Sequence, residues 1–378
     1  MRYRFKHLLF ALIFLFLFGF ILAPHAGSSE DKDMPKNIIL FIGDGMGIGQ
    51  VSAAKVVKGT LNIEQCKTVG LLTTQGSDAF IPTSESTTTP LATGVNSRLW
   101  YIAISLSKEP LKTILEYAEE KGKSTGLVVT SNVVDATPAC FVAHTDARKN
   151  TGAIAEAIVD SGVDVLFGGG LRYFLPSQAG DSASKDNKGL IARLEKRYPV
   201  VTTKEGFEKL ETPKGAYGFF AMDNLPGSKE REISLAEMTR KAIDILSTNE
   251  NGFFLMVEGS QIDWAGHRGD SEKIIRETID LDDAAGEGLE FAKYDGATLV
   301  IVTADHESGG YCFTDGSANK HSIRTAVFAT SGHTGAMLPL FAYGPGSEVL
   351  GGIHDHAFVG KTIIGYVKER GAQDGRSK

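Results

Sequence analysis

Cysteine is scarce, with three thiols in 378 residues, so Cys66, Cys140 and Cys312 can form at most one internal bridge and a disulfide framework is excluded. Each lies beside apolar or small residues, where a buried free thiol is expected, and none has the look of a metal ligand. Proline is sparse too, 12 against 43 glycines. No Pro/Ser-rich linker or composition shift divides the chain, and no internal repeat is present. An excess of positive charge is also missing. The formal charge of −7 makes bulk electrostatic binding of nucleic acid unfavourable.

The N-terminus reads as an export signal over residues 1–26. Arg2, Arg4 and Lys6 precede an apolar run from Leu8 to Leu22, and Pro24-His25-Ala26 offers a small-residue cleavage site before Gly27. That run is short against the about 20 residues of a spanning helix, although an uncleaved anchor is the rival reading. Cleavage moves the formal charge from −7 to −10. A periplasmic or secreted protein is expected, touching membrane only through this segment.

The remaining roughly 350 residues, 27–378, are enough for one large domain. Apolar strands are expected at Ile38 to Ile42, Ser124 to Val129, Val163 to Phe167, Gly252 to Val257, Thr298 to Val302 and Leu338 to Tyr343. Helices are expected between them, at Leu111 to Lys121, Gly152 to Ser161, Ser234 to Ser247 and Ser271 to Lys293. This alternation predicts an α/β fold, a three-layer α/β/α sandwich around a mostly parallel central sheet.

Four short segments carry the chemistry. Asp44 follows the run Ile38 to Ile42 with a glycine on each side, and adjacent Asp305 and His306 follow Val300 to Ala304. Both read as ligands delivered at the carboxyl end of a buried strand, where open α/β sheets place their sites. Asp263 and His267 stand at i and i+4, five residues or more after Glu258, so on a helix both point one way. His333 lies in a Ser-Gly-His turn. A lone Asp after a strand is usually a cap or turn former, but four such segments together read as a multi-metal hydrolase site. Imidazole and carboxylate without thiolate suit zinc, and an all-oxygen set suits magnesium. His144, His321, His354 and His356 share none of this logic, and His7 and His25 lie in the leader.

These segments resemble the bacterial alkaline phosphatases from about Pro35 to about Val367. Asp-Gly-Met-Gly, Ala-Thr-Gly, Asp-Ala-Thr-Pro-Ala, Glu-Gly-Ser-Gln-Ile-Asp-Trp-Ala-Gly-His, Thr-Ala-Asp-His-Glu-Ser-Gly-Gly and Ser-Gly-His-Thr occur in the family's order. The resemblance implies an alkaline-phosphatase-like fold that hydrolyses phosphate monoesters through a phosphoserine at alkaline pH. It implies two Zn2+ and one Mg2+ per chain. Asp263, His267 and His333 would hold one zinc, and Asp44, Asp305 and His306 the other. Magnesium would sit on Asp44, Thr137 and Glu258, with Asp135 bound directly or one step removed. Arg148 would clamp the phosphate through two parallel hydrogen bonds, which a planar guanidinium can make. Family members are often dimers, so a homodimer is implied, although no stretch identifies an interface.

The nucleophile segment departs from the family pattern, in which Thr-Asp-Ser-Ala precedes Ala-Thr-Gly. Counting back from Thr93 places Ser84 at the nucleophile, with Ser86 the nearest rival. Thr83 replaces the Asp that helps hold the arginine, so Arg148 is expected to be less well oriented. Glu85 replaces an alanine and is expected to repel the phosphate or compete for a metal, unless it points away. Pro90 is expected to disrupt any helix opened by the serine. The run Asn96 to Ser105 is atypical as well. An error in this stretch of sequence, a compensated local variant, and a metal- or phosphate-binding relative with impaired turnover all remain open. A phosphodiesterase of the same superfamily is the enzyme rival, disfavoured by Glu258, Thr137 and Arg148. A sulfatase is disfavoured because no modification motif surrounds Ser84.

Overall fold

Continuous apolar sequence builds the centre of the molecule. In the computed structural model, which describes residues 34–75, 80–177, 189–211 and 214–369, three adjacent seven-residue strands are buried along their whole length: β1 (Asn37–Gly43), β7 (Phe253–Gly259) and β8 (Thr298–Ala304). Strands buried on both faces of a sheet carry no polar alternation, which is why they stand out in the sequence.

Around them the chain adds β2 (Thr68–Thr73), β3 (Ser124–Asn132), β4 (Val165–Gly169), β5 (Val200–Val201), β6 (Ala216–Phe219), β13 (Leu338–Tyr343) and β14 (Gly352–Asp355). The ten-stranded sheet has the order β14-β2-β13-β8-β1-β7-β3-β4-β6-β5. Every pairing is parallel except those of β13, which runs against both β2 and β8. Two small antiparallel pairs lie outside it. One joins β9 (Glu307–Ser308) to β12 (His333–Thr334), and the other joins β10 (Tyr311–Ser317) to β11 (Ser322–Phe328).

The helices are α1 (Ile48–Lys58), α2 (Ser84–Thr93), α3 (Ile114–Glu120), α4 (Ala136–Val142), α5 (Thr151–Ser161), α6 (Leu190–Glu195), α7 (Lys204–Glu208), α8 (Leu235–Leu246), α9 (Gln261–Arg268), α10 (Ser271–Asp295) and α11 (His356–Glu369). Adjacent residues of β7 show that they form two layers, because side chains alternate across a strand. Phe253 meets Phe291 of α10 at 5.8 Å between ring centroids, while Phe254 meets Phe141 of α4, also at 5.8 Å. Helices α1, α8 and α10 pack together on one side, and α2, α3, α4 and α11 on the other. The expected three-layer sandwich is therefore the observed fold.

Two local expectations fail. Helix α2 runs through Pro90 with all ten of its residues buried. The hydroxyls of Thr87 and Thr93 donate to the carbonyls of Thr83 and Thr89, at 3.1 and 2.7 Å, supplying hydrogen bonds beside the lost N–H. Cys312 is exposed, although Cys66 and Cys140 are buried as expected, because it faces outward on the solvent-side hairpin β10–β11. The leader lies outside the described residues. No helix among the described residues is long and apolar enough to cross a membrane.

Candidate active site

Strand register sets the first ligands. Gly43 of β1 pairs with Gly259 of β7 on one side and with Ala304 of β8 on the other, so Asp44 and Asp305 leave the sheet at the same height. Glu258 stands opposite Ile42, one step earlier. The Gly45 N–H donates to Asp305 Oδ1 at 3.1 Å. Only glycine fits there: its φ is +78°, and a Cβ would come within 2.6 Å of Asp263 Cα.

Helix α9 then presents Asp263 and His267 one turn apart, as their spacing predicted. Pairing of β12 with β9 sets His333 opposite Ser308 and so beside His306. Asp263 Oδ1, His267 Nε2 and His333 Nε2 form a triangle with sides of 3.2, 3.1 and 3.4 Å. Ligands about 2.0–2.1 Å from a tetrahedral zinc stand about 3.3–3.4 Å apart, which these sides match. The Nδ1 atoms of His267 and His333 face the carbonyls of Ser331 and Pro82, at 2.6 and 2.8 Å. A carbonyl only accepts, so each Nδ1 carries a proton, and Nε2 is left as the atom that would face a cation.

A second set converges on His306 Nε2. Asp44 Oδ1 lies 3.4 Å from it, Asp305 Oδ2 3.2 Å and Ser84 Oγ 3.3 Å. Asp44 Oδ1 and Asp305 Oδ2 are buried and have no hydrogen-bond partner. Orphaned carboxylate oxygens aimed with an imidazole at one point fit a cation, whereas leaving them bare is costly. His306 also stacks on His333, with centroids 3.6 Å apart, so the two sets adjoin.

The third group is all oxygen. Burial first, then the Asp135 charge, pushes Glu258 up to about 8, although hydrogen bonds with Ser260 and Thr137 pull the other way. Burial, followed by Asp305 and Asp263, holds Asp44 well above the usual carboxylate range. Asp263 is held below that range: burial opposes ionisation, but His267 and His333 hydrogen-bond the carboxylate. In the absence of cations, protons compensate this crowd of carboxylates, and a metal displaces them. The two imidazole–carboxylate sets are therefore chemically suited to metal cations.

Ser84 opens α2 behind its N-cap Thr83, so its oxygen stands at the positive end of a helix, where phosphate is favoured. Arg148 donates from Nη1 to Glu85 Oε2 at 2.7 Å and from Nη2 to Asp135 Oδ1 at 2.8 Å. The expected loss of orientation at Arg148 is not seen, and Glu85 neither meets the metal ligands nor lies idle. Its contact with the arginine was missed, although its place beside Ser84 was the available signal. Ser308 was missed as well. Its hydroxyl donates to Asp263 and lies 3.4 Å from His306 Nδ1, bridging the two imidazole–carboxylate sets two residues after His306.

The family model for alkaline phosphatase matches residues 35–327. Alkaline phosphatase 4 of Bacillus subtilis is 37% identical over 79% of this chain and 67% of its own length. Alkaline phosphatase of Escherichia coli K12 is 31% identical over 87% of this chain and 85% of its own. Among solved structures, alkaline phosphatase from the Antarctic bacterium TAB5 superposes with a TM-score of 0.82 at 36% identity, covering 89% of this chain and 98% of that one. A mutant of it with Mg bound in the M3 site also gives 0.82, at 37% identity, covering 89% and 99%. With strand-end carboxylates, paired histidines and a serine opening a helix in one place, this phosphomonoesterase chain belongs to the alkaline phosphatase family.

Proposed function

We propose that the protein hydrolyses phosphate monoesters through a phosphoserine at Ser84, with two zinc ions and one magnesium per chain and an alkaline pH optimum. One observation carries this reading: Ser84 Oγ, Asp44 Oδ1 and Asp305 Oδ2 all lie 3.2–3.4 Å from His306 Nε2. Asp263, His267 and His333 would hold one zinc, Asp44, Asp305 and His306 the other, and Asp44, Thr137 and Glu258, beside Asp135, the magnesium. When bound, these ions supply Lewis acidity that favours the alkoxide and offsets charge on the phosphoryl oxygens.

The chain's own groups do the rest. Ser84 Oγ gives its proton to solvent and bonds to phosphorus as the ester P–O bond breaks, and the departing alkoxide takes a proton from solvent to leave as the alcohol. A water oxygen then bonds to the same phosphorus and releases a proton as the P–Oγ bond breaks, and Oγ takes up a proton as phosphate departs. Arg148, with hydrogen-bond donors left after those given to Glu85 and Asp135, faces the non-bridging oxygens. The continuity of α2 through Pro90 supports a compensated variant over a protein with impaired turnover. We further propose that residues 1–26 direct export to the periplasm or medium, that 27–378 form one catalytic domain, and that the chain acts as a homodimer.

The test is turnover of 4-nitrophenyl phosphate at alkaline pH after chelation and after return of zinc and magnesium. Activity lost and regained with metal, and lowered by about three orders of magnitude in Ser84→Ala, is expected. Turnover indifferent to chelation contradicts the reading.

A further inference from the structure

Three departures from the family pattern meet at one carboxylate. Glu85 is buried, with its side chain 0% exposed. Its Oε1 accepts from the Thr83 hydroxyl at 2.5 Å and from the Trp100 N–H at 2.9 Å, while Oε2 takes Arg148 Nη1 at 2.7 Å. Thr83, Glu85 and the run Asn96 to Ser105 are three of the four places at which the sequence departs from the pattern, Pro90 being the other, and these three are connected through the one carboxylate. The same run is tied to the arginine's own segment: Ile102 and Thr145 exchange backbone hydrogen bonds of 2.9 and 3.1 Å.

From this geometry we propose that Glu85 is the positioning residue for Arg148, fixing the guanidinium for phosphate from the C-terminal side of the nucleophile. The inference rests on the phosphomonoesterase reading and deepens it. Successive helical residues point about 100° apart, so a carboxylate one residue after Ser84 reaches Arg148 while turning away from the metal ligands. This answers the expected repulsion of phosphate. Arg148 is gripped at both ends, by Glu85 on Nη1 and by Asp135 on Nη2. Each terminal nitrogen keeps one N–H for a phosphate oxygen, and a guanidinium held in plane binds two oxygens at little further cost in order.

A purely structural ion pair makes a different prediction from a positioning one. Glu85→Ala and Glu85→Gln are compared with wild type, both zinc-loaded, for inhibition by inorganic phosphate, kcat and KM with 4-nitrophenyl phosphate, zinc content and Tm. Positioning predicts that the inhibition constant rises and kcat/KM falls by roughly 10- to 100-fold while zinc content holds. Because the Thr83 side chain already touches Glu85 Oε1, a carboxylate placed at 83 reaches the same spot. Thr83→Asp added to Glu85→Ala should therefore restore most of the phosphate affinity. Should the alanine variant fail to fold, the glutamine variant, which keeps volume but not charge, carries the same comparison. Phosphate inhibition unchanged in a folded Glu85 variant, or a lowered Tm alone, overturns the inference while leaving the enzyme reading intact. Failure of Thr83→Asp to restore affinity overturns it too, whereas absence of wild-type turnover defeats the enzyme reading itself.

Discussion

His333 reaches back 251 residues to Pro82: its Nδ1 donates to the Pro82 carbonyl at 2.8 Å, and its Nε2 faces Asp263 and His267. A residue of the first proposed zinc set is thereby fastened to the segment that carries Ser84. Replacing His333 with Ala is expected to remove one of two tightly bound zinc ions and to leave the Pro82 carbonyl without this partner. Metal content after dialysis checks this, and two retained zinc ions would exclude His333 as a ligand.

Ser308 bridges the same region by donating to Asp263 beside His306. Groups that orient metal ligands matter nearly as much as the ligands. Ser308→Ala should keep the fold and weaken zinc binding by roughly 10- to 100-fold. Competition with a chelator of known affinity measures it, and an unchanged affinity removes Ser308 from the site.

The placement of Ser84 also depends on how closely two helices approach. A Cβ at Gly360 of α11 would come within 2.4 Å of the Pro90 carbonyl and 2.7 Å of that of Leu91, both on α2. Backbone cannot yield as a side-chain tip does, so Gly360→Ala should cost about 1–3 kcal/mol. It should also lower kcat by shifting α2. A variant of full stability and full activity would show that this contact is looser than described.

One pH effect involves a carboxyl outside the candidate metal groups. Burial raises Glu119 from 4.5 to about 7, with Asp164 adding to the rise and a hydrogen bond from Thr125 opposing it. A carboxyl whose pKa is raised by folding stabilises the fold while protonated. That contribution is complete below the unfolded value near 4.5 and is lost as pH climbs through about 7. Glu119→Gln should therefore gain Tm relative to wild type across that window, and a Tm difference flat between pH 4.5 and 7 would refute it.

What the sequence showed, and what it hid, follows from burial. Asp44 and Asp305 were legible because β1 and β8 are buried on both faces and leave unbroken apolar runs before them. Asp263 and His267 were legible because one helical turn is a short-range rule. Strands towards the ends of the sheet were not: β2 alternates in burial and β5 has two residues, too little pattern to read. The reversed direction of β13 has no local signature, since direction is set by the chain that leads into it. Glu85 was legible as a departure but not as a partner, because the arginine it holds lies 63 residues away. Pro90 misled because its cost was weighed without the hydroxyls and helices that surround it.

The account's central claim is that Ser84 carries the phosphoryl group. Zinc-loaded protein should be mixed with 4-nitrophenyl phosphate, quenched in acid, digested and mapped by mass spectrometry. The account predicts one phosphate on the peptide containing Ser84, located on Ser84 and absent from Ser84→Ala. Phosphate on Ser86, or steady turnover with no phosphorylated serine under any quench, would contradict it.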